Sequence, residues 1–115
     1  MSTILDLRQL KEIFGSDTVT LNGLLAEVAD DADHLVLQIE GACAREAWSE
    51  ACVALHELIG MCAAAGCVEL AELGTTVQAA AAEGRDADIS PSLALLVAAG
   101  QRLHTHIGGL SLETA

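Results

Sequence analysis

The stretch HELIGMCAAAG, from His56 to Gly66, contains the pattern around which the rest of the chain is organised. At 3.6 residues per turn, Leu58 and Cys62 fall on one side of a helix and His56 falls on the opposite side. Gly60 lies about 40° around the helix from His56, where helix surfaces usually carry larger side chains. The stretch therefore predicts a helix with an apolar core face and a histidine that points away from that core.

The helix that contains this stretch is predicted to begin near Ala47, with Trp48 in its first turn, and to end or bend at Gly66. Its predicted core face consists of Ala51, Ala54, Leu55, Leu58, Cys62 and Ala65. Its opposite face, around His56, consists of Cys52, Val53, Ile59, Gly60 and Ala63. Val53 and Ile59 are expected to form a small exposed apolar patch beside the histidine, of the kind that often marks a contact site.

Two further helices are predicted before this one. Asp6 followed three residues later by Gln9 resembles a capping box, and Gly15 ends the short first helix that it opens. A long second helix is capped by Ser16 or Asp17 and ends at or near Gly41. Its apolar stripe consists of Leu21, Leu24, Leu25, Val28, Ala32, Leu35 and Ile39.

Two more helices are predicted after Gly66. The fourth has its apolar stripe at Leu70, Leu73, Val77 and Ala80 and is ended by Gly84. A charged loop, residues 85–88, is expected next. Ser90 as N-cap and Pro91 as first helical residue then open a fifth helix, which stops before Gly108 and Gly109.

The predicted fold is all-α, because no segment alternates with the period of two that a half-buried strand shows. Four longer helices with short connections favour an antiparallel four-helix bundle, with the short first helix as a lid. A chain of 115 residues is long enough for one core. We therefore expect a single domain over residues 1–115, ordered from about 4 to 107, and a monomer.

The charge of the chain excludes some partners. Seventeen acidic against five basic residues give a formal net charge of −12, which repels nucleic acids and anionic lipid surfaces. No apolar run reaches the roughly 18 residues of a membrane span, and the N-terminus lacks the basic-then-apolar order of a signal peptide. A cytoplasmic location is therefore expected, and Met1 together with the coverage by one domain favours a free-standing protein.

The sequence predicts no metal or cofactor site. The four cysteines, at 43, 52, 62 and 67, have no CxxC spacing and are interpreted as buried or half-buried thiols. Asp30, Asp31 and Asp33 could in principle hold a divalent cation, but no glycine or terminal ligand completes a calcium loop there. A solvated acidic face is the favoured interpretation.

The surroundings of His56 suit a histidine that carries a phosphoryl group. Such a histidine must be exposed, held in one orientation, and flanked by small residues so that the active site of a partner can reach the ring. A glycine inside a helix costs about 0.8–1 kcal/mol relative to alanine. Close approach of a partner at His56 would explain the presence of a glycine at position 60.

His56-x-Leu58-x-Gly60-x-Cys62-x-x-x-Gly66 resembles the signature of histidine-containing phosphotransfer (HPt) domains, H-x-L-K-G-x-small-x-x-x-G. The resemblance extends over about residues 4–107. It includes the short first helix that ends in Phe14-Gly15, the long second helix, Trp48 eight residues before the histidine, and the two closing helices.

This resemblance implies a phosphorelay intermediate of two-component signalling, in which His56 carries a phosphoryl group between aspartates of receiver domains. Such a domain is a carrier rather than an enzyme, because the receiver supplies magnesium and most of the charge stabilisation. A hybrid histidine kinase is a second class of partner that the resemblance allows. Gln78 matches the glutamine that holds the other ring nitrogen in family members.

One position departs from the family pattern. Ile59 stands where the family usually has a lysine that helps to neutralise the phosphoryl charge, so slower or less stable phosphorylation is predicted. Ile59 also supports an alternative, a degenerate adaptor or inhibitor that binds a kinase or receiver without carrying phosphate. A third hypothesis is a helical bundle of unrelated role, in which His56 would be buried. The receivers, the direction of phosphate flow and the pathway are not specified by the sequence.

Overall fold

The computed structural model describes residues 3–84 and 86–110, and the side chains of residues 86–88 are outside the description. Within these residues the chain is all-helical and has no strand, as predicted. The helices are α1 (Leu7–Phe14), α2 (Thr18–Ala44), α3 (Trp48–Ala65), α4 (Val68–Glu83) and α5 (Asp86–Gly109). None of them is long and apolar enough to cross a lipid bilayer.

The cap predicted for α1 is present. Oδ1 of Asp6 accepts a hydrogen bond from the backbone N–H of Gln9 at 3.1 Å, which satisfies one of the free donors at the start of the helix. Gly15 ends the helix with φ of 87°, and its N–H donates to the carbonyl of Lys11. Asp17, one of the two predicted caps, precedes α2, and its carboxylate accepts a hydrogen bond from the Thr20 hydroxyl at 2.6 Å.

Helix α3 has the boundaries and the core face that its sequence predicts. It begins at Trp48 and ends at Gly66, whose φ of 79° is the left-handed conformation that glycine adopts without a steric penalty. The six predicted core residues are the buried residues of the helix: Ala51, Ala54, Leu55, Leu58, Cys62 and Ala65. The period of the apolar residues was therefore sufficient to orient α3.

The four longer helices surround one apolar core. Helix α2 packs against α3 and α5, and α4 packs against the same two helices. The largest fully buried side chains come from α1 to α5: Leu10, Leu21, Leu25, Ile39, Leu55, Leu58, Leu70, Val77, Leu96 and Leu103. Burial of about ten such side chains, each worth roughly 1.5–3 kcal/mol, is the main force that holds the helices together.

The predicted start of the last helix is wrong. Helix α5 begins at Asp86 rather than after Ser90, so Ser90 is inside the helix and Pro91 lies in its second turn. Proline there removes the hydrogen bond that its N–H would donate to the carbonyl of Ala87, and the residue is exposed. The predicted loop is therefore helical from Asp86 onwards, while Arg85 lies outside the described residues.

Two other predicted boundaries were too short. Helix α2 continues to Ala44, three residues beyond Gly41, and α5 includes Gly108 and Gly109. Both glycines at the end of α5 are exposed, and a side chain there would meet nothing within 4 Å. The ordered part was expected to end near residue 107; of the residues beyond it, those from 111 to 115 lie outside the described residues.

Candidate functional site

His56 is exposed on the face of α3 opposite the core, which confirms its predicted direction. The exposed residues of this helix around it are Ser49, Val53, Gly60, Ala63 and Ala64, together with Glu50 and Glu57 toward α2. Most of these side chains are small. The imidazole therefore stands above its neighbours, and another protein can reach it from solvent.

Among the described residues, Gly60 has no packing partner. A Cβ atom built on it would meet nothing within 4 Å, and the residue is exposed. An alanine would therefore fit, and it would favour the helix by about 0.8–1 kcal/mol. The structure thus offers no internal reason for glycine one turn from His56.

Ile59 is not part of an exposed apolar patch, contrary to the prediction. Its side chain is half-buried against α4, where its Cγ1 lies 3.1 Å from the position of a Cβ built on Gly74. Cys52 is half-buried as well, whereas Val53 is 65% exposed. Of the five residues predicted to contact a partner around His56, three are therefore exposed: Val53, Gly60 and Ala63.

Two contacts set the alignment of α3 and α4. Ile59 lies against Gly74, and the indole of Trp48 lies 3.8 Å from a Cβ built on Gly84. Earlier residues of α3 thus meet later residues of α4, so the two helices are antiparallel. His56 precedes Ile59 by about 4.5 Å along α3, and Gln78 follows Gly74 by about 6 Å along α4.

Gln78 therefore lies at nearly the same level as His56 on the neighbouring helix. It follows Gly74 by one turn, so it is on the side of α4 that faces α3. Its side chain is half-buried. Among the described residues no hydrogen bond joins Gln78 to His56, so the structure brings the two residues to one level without linking them.

The charge around His56 is neutral to acidic. Neither α3 nor α4 contains a lysine or an arginine, and Glu57 next to the histidine is exposed. Three arginines of the described residues have carboxylate partners on the surface. The pairs are Arg8 with Glu12 at 3.4 Å, Arg45 with Glu50 at 3.0 Å, and Arg102 with Glu69 at 2.8 Å.

The surface between α2 and α3 continues from the His56 face. It contains two adjoining depressions of about 400 and 440 Å³, which share Gln38 and Glu57. Val53 lines the first, and Leu35 and Met61 line the second. Apolar side chains between charged ones give this side of the molecule a shape into which another protein surface can fit.

The acidic residues of α2 do not form a metal site in the part of the chain that is described. No three histidine, cysteine, aspartate or glutamate side chains converge there. Asp33 instead pairs with Nδ1 of His104 on α5 at 2.8 Å. Neither this pair nor the contact at Gly74 was predicted, because both depend on which helices are neighbours. For the contact at Gly74, the only indication in the sequence was the presence of a glycine inside α4.

Comparison with known proteins adds no assignment. No family model, curated protein or solved structure matches this chain. The geometry of the site and the motif around His56 are therefore the basis for any functional conclusion.

Proposed function

We propose that this chain is a histidine-containing phosphotransfer domain that carries a phosphoryl group on His56 between aspartates of receiver domains. The observation that supports this proposal best is the position of His56, exposed on a face of small side chains with open space at Gly60. A partner's aspartate must come within bonding distance of the ring, and larger neighbours would prevent that approach.

The proposed transfer is a displacement at phosphorus. The lone pair of one imidazole nitrogen of His56 attacks the phosphorus of an aspartyl phosphate, the bond from phosphorus to the aspartate oxygen breaks, and the aspartate leaves as a carboxylate. Transfer to the next receiver reverses these steps. Such reactions depend on positioning and charge stabilisation more than on covalent chemistry of the protein. Magnesium on the receiver supplies that stabilisation, so the chain itself needs no cofactor.

Gln78 has a positioning role in this proposal. Gln78 lies at the level of His56, so after a change of rotamer its amide oxygen can accept a hydrogen bond from the N–H of the ring nitrogen that does not react. That bond selects the tautomer in which the other nitrogen has the free lone pair. Gly60 has the separate role of leaving space for the receiver.

The arrangement of the helices belongs to the same proposal. The contacts of α2 and α4 with α3 and α5 fit an antiparallel four-helix bundle with α1 as a lid. A monomeric domain in the cytoplasm, where receiver domains act, is the expected setting. The two depressions between α2 and α3 extend the face that a receiver would cover.

Label transfer from a phosphorylated receiver is the direct test. A panel of receivers labelled on their aspartates is mixed with the protein, and we expect acid-labile label on the wild type and none on His56→Gln. His106→Gln is the matched control, because His106 is also exposed on a helix but lies on α5, away from the proposed face. Labelling of His56→Gln at the rate of the wild type would contradict the proposal.

A degenerate adaptor or inhibitor is the second candidate. The lack of any lysine or arginine on α3 and α4 favours it, because a phosphoryl group on His56 would have no cation of this chain on either helix. An adaptor would bind a receiver or kinase equally well as wild type and as His56→Gln, with no label on either. The same experiment therefore distinguishes the two functions when binding is measured beside transfer.

A further inference from the structure

Two buried cysteines meet where α3 turns into α4. Cys62, in the last turn of α3, and Cys67, directly before α4, are both fully buried. The backbone N–H of Cys67 donates to the carbonyl of Cys62 at 2.9 Å around the left-handed Gly66. Helix ends of this type bring the side chains of these two positions into contact.

The two thiols have different protonation properties. The thiol of Cys62 donates a hydrogen bond to the sulfur of Cys67; this bond lowers the pKa of Cys67, although burial acts in the opposite direction. The same bond, together with burial and the charge of Cys67, raises the pKa of Cys62. Cys67 also occupies the N-cap of α4, where the helix dipole favours a thiolate. The N-cap position and this hydrogen bond both favour the thiolate at Cys67, with the thiol of Cys62 beside it.

The N-terminal segment, residues 3–14, packs over this turn. The N–H of Glu69 donates to the carbonyl of Thr3 at 2.9 Å, and the N–H of Asp6 donates to the carbonyl of Gly66 at 2.7 Å. Nε2 of Gln9 donates to the carbonyl of Ala63 at 2.6 Å. Helix α1 packs less extensively against its neighbours than the longer helices do, so this cover can open while the rest of the fold persists.

We propose that Cys62 and Cys67 are a redox modification site. Hydroperoxides oxidise the two thiols to an intramolecular disulfide when the N-terminal segment opens. The thiolate of Cys67 attacks one peroxide oxygen, the O–O bond breaks, and water leaves after protonation, which gives a sulfenic acid. The sulfur of Cys62 then attacks the sulfur of the sulfenic acid, a second water leaves, and the disulfide remains. In total two thiols and one hydrogen peroxide give one disulfide and two waters. This site is independent of phosphoryl transfer at His56.

The other two cysteines provide an internal comparison. Cys43 is buried at the end of α2, and Cys52 is half-buried in α3. Burial raises the pKa of Cys43, and no hydrogen bond from a second thiol counteracts it. We therefore expect the pair at 62 and 67 to react first, although Cys52 is more exposed.

Mass spectrometry of the folded full chain tests the proposal. The protein is treated with hydrogen peroxide under native conditions, unreacted thiols are blocked, and peptides are mapped. We expect loss of two hydrogens with a bond that joins Cys62 and Cys67, reversal by dithiothreitol, and no such bond in Cys62→Ala or Cys67→Ala. The double variant Cys43→Ala with Cys52→Ala should form the bond at the wild-type rate. Oxidation confined to Cys52, or sulfinic acids without a disulfide, would overturn the proposal.

A pair of core truncations tests the role of the cover. Leu5 is 7% exposed in the N-terminal segment, and Leu96 is fully buried in α5. Leu5→Ala should accelerate disulfide formation by about tenfold or more, because loss of its packing favours opening of the segment. Leu96→Ala, an equal truncation, should leave the rate nearly unchanged if opening is local. Equal acceleration by both variants would mean that the thiols react only after global unfolding. That result would overturn the proposal that local opening of the N-terminal segment exposes them.

Discussion

Two glycines six residues apart on the same helix have opposite reasons to be glycine. Gly60 lies in the middle of α3, exposed, with nothing within 4 Å of a Cβ built on it. Gly66 ends α3 in the left-handed conformation, and a Cβ there would lie 2.7 Å from the carbonyl oxygen of Asp6. Contacts within the protein require a glycine at position 66, whereas only a partner that approaches from outside would require one at position 60.

Different parts of α3 serve stability and function. The end of the helix, with Gly66 and the segment that covers it, is determined by contacts within the chain. In the middle, Gly60 makes the helix around His56 less stable than an alanine would, and it gains no contact in return from the described residues. A residue that breaks a local rule without an internal gain is typical of positions where a partner approaches.

Gly66→Ala should have the largest effect. The left-handed conformation with a side chain and the contact with Asp6 should together lower the free energy of unfolding by about 2–4 kcal/mol. Urea unfolding followed by circular dichroism measures this loss. Gly84→Ala is the matched control, because its φ is 64° but its nearest neighbour, Trp48, is 3.8 Å away. Equal losses in both variants would show that the Asp6 contact has no energetic role.

Gly74→Ala tests the packing beneath the site. The new methyl group would crowd Ile59, so we expect a loss of about 1 kcal/mol after the gain in helix propensity is subtracted. In an Ile59→Ala background the same change should stabilise the protein by about 0.8–1 kcal/mol. A double-mutant cycle measures the coupling of the two positions. Additive effects would contradict the contact between them.

Gly60→Ala should have the opposite sign. It should raise the free energy of unfolding by about 0.8–1 kcal/mol and should slow phosphoryl transfer to His56, because the methyl group enters the space beside the ring. Thermal unfolding and the label-transfer assay measure the two effects. Ala64→Ser, on the same exposed face but farther along α3, serves as control. A stabilised variant with unchanged transfer would remove the argument for partner approach at Gly60.

Ile59→Lys should have the smallest effect. A lysine at this position would place a cation near the phosphoryl group, and exposed charge pairs are worth up to about 1 kcal/mol. We therefore expect an increase of up to about fivefold in the transfer rate or in the lifetime of the phosphohistidine. Ile59→Met is the control of similar size without charge. No difference between the lysine and methionine variants would contradict an electrostatic role for this position.

Local patterns predicted the parts of the fold that depend on local physics. The apolar period oriented all of α3, and Asp6, Gly15, Gly66 and Gly84 were recognised as helix ends because capping involves residues close in sequence. The start of α5 was missed for the same reason: Ser90 and Pro91 form a good local cap, but the helix already exists before them.

The site was predicted only as far as one helix determines it. The direction of His56 follows from the period of α3. The burial of Ile59 depends on Gly74 in another helix, and the level of Gln78 depends on the alignment of α3 with α4. Neither relation can be obtained from the period of a single helix, because it depends on how two helices pack together.

The shortness of the turn between α3 and α4 limits how the sequence can change in length. Only Gly66 and Cys67 separate the two helices. One residue inserted there would rotate α4 by about 100° and shift it by about 1.5 Å relative to α3. Gln78 would then leave the side of α4 that faces α3, and Ile59 would face Thr75 or Leu73 instead of Gly74. We therefore expect one-residue insertions and deletions at this turn to disturb the packing of α3 against α4.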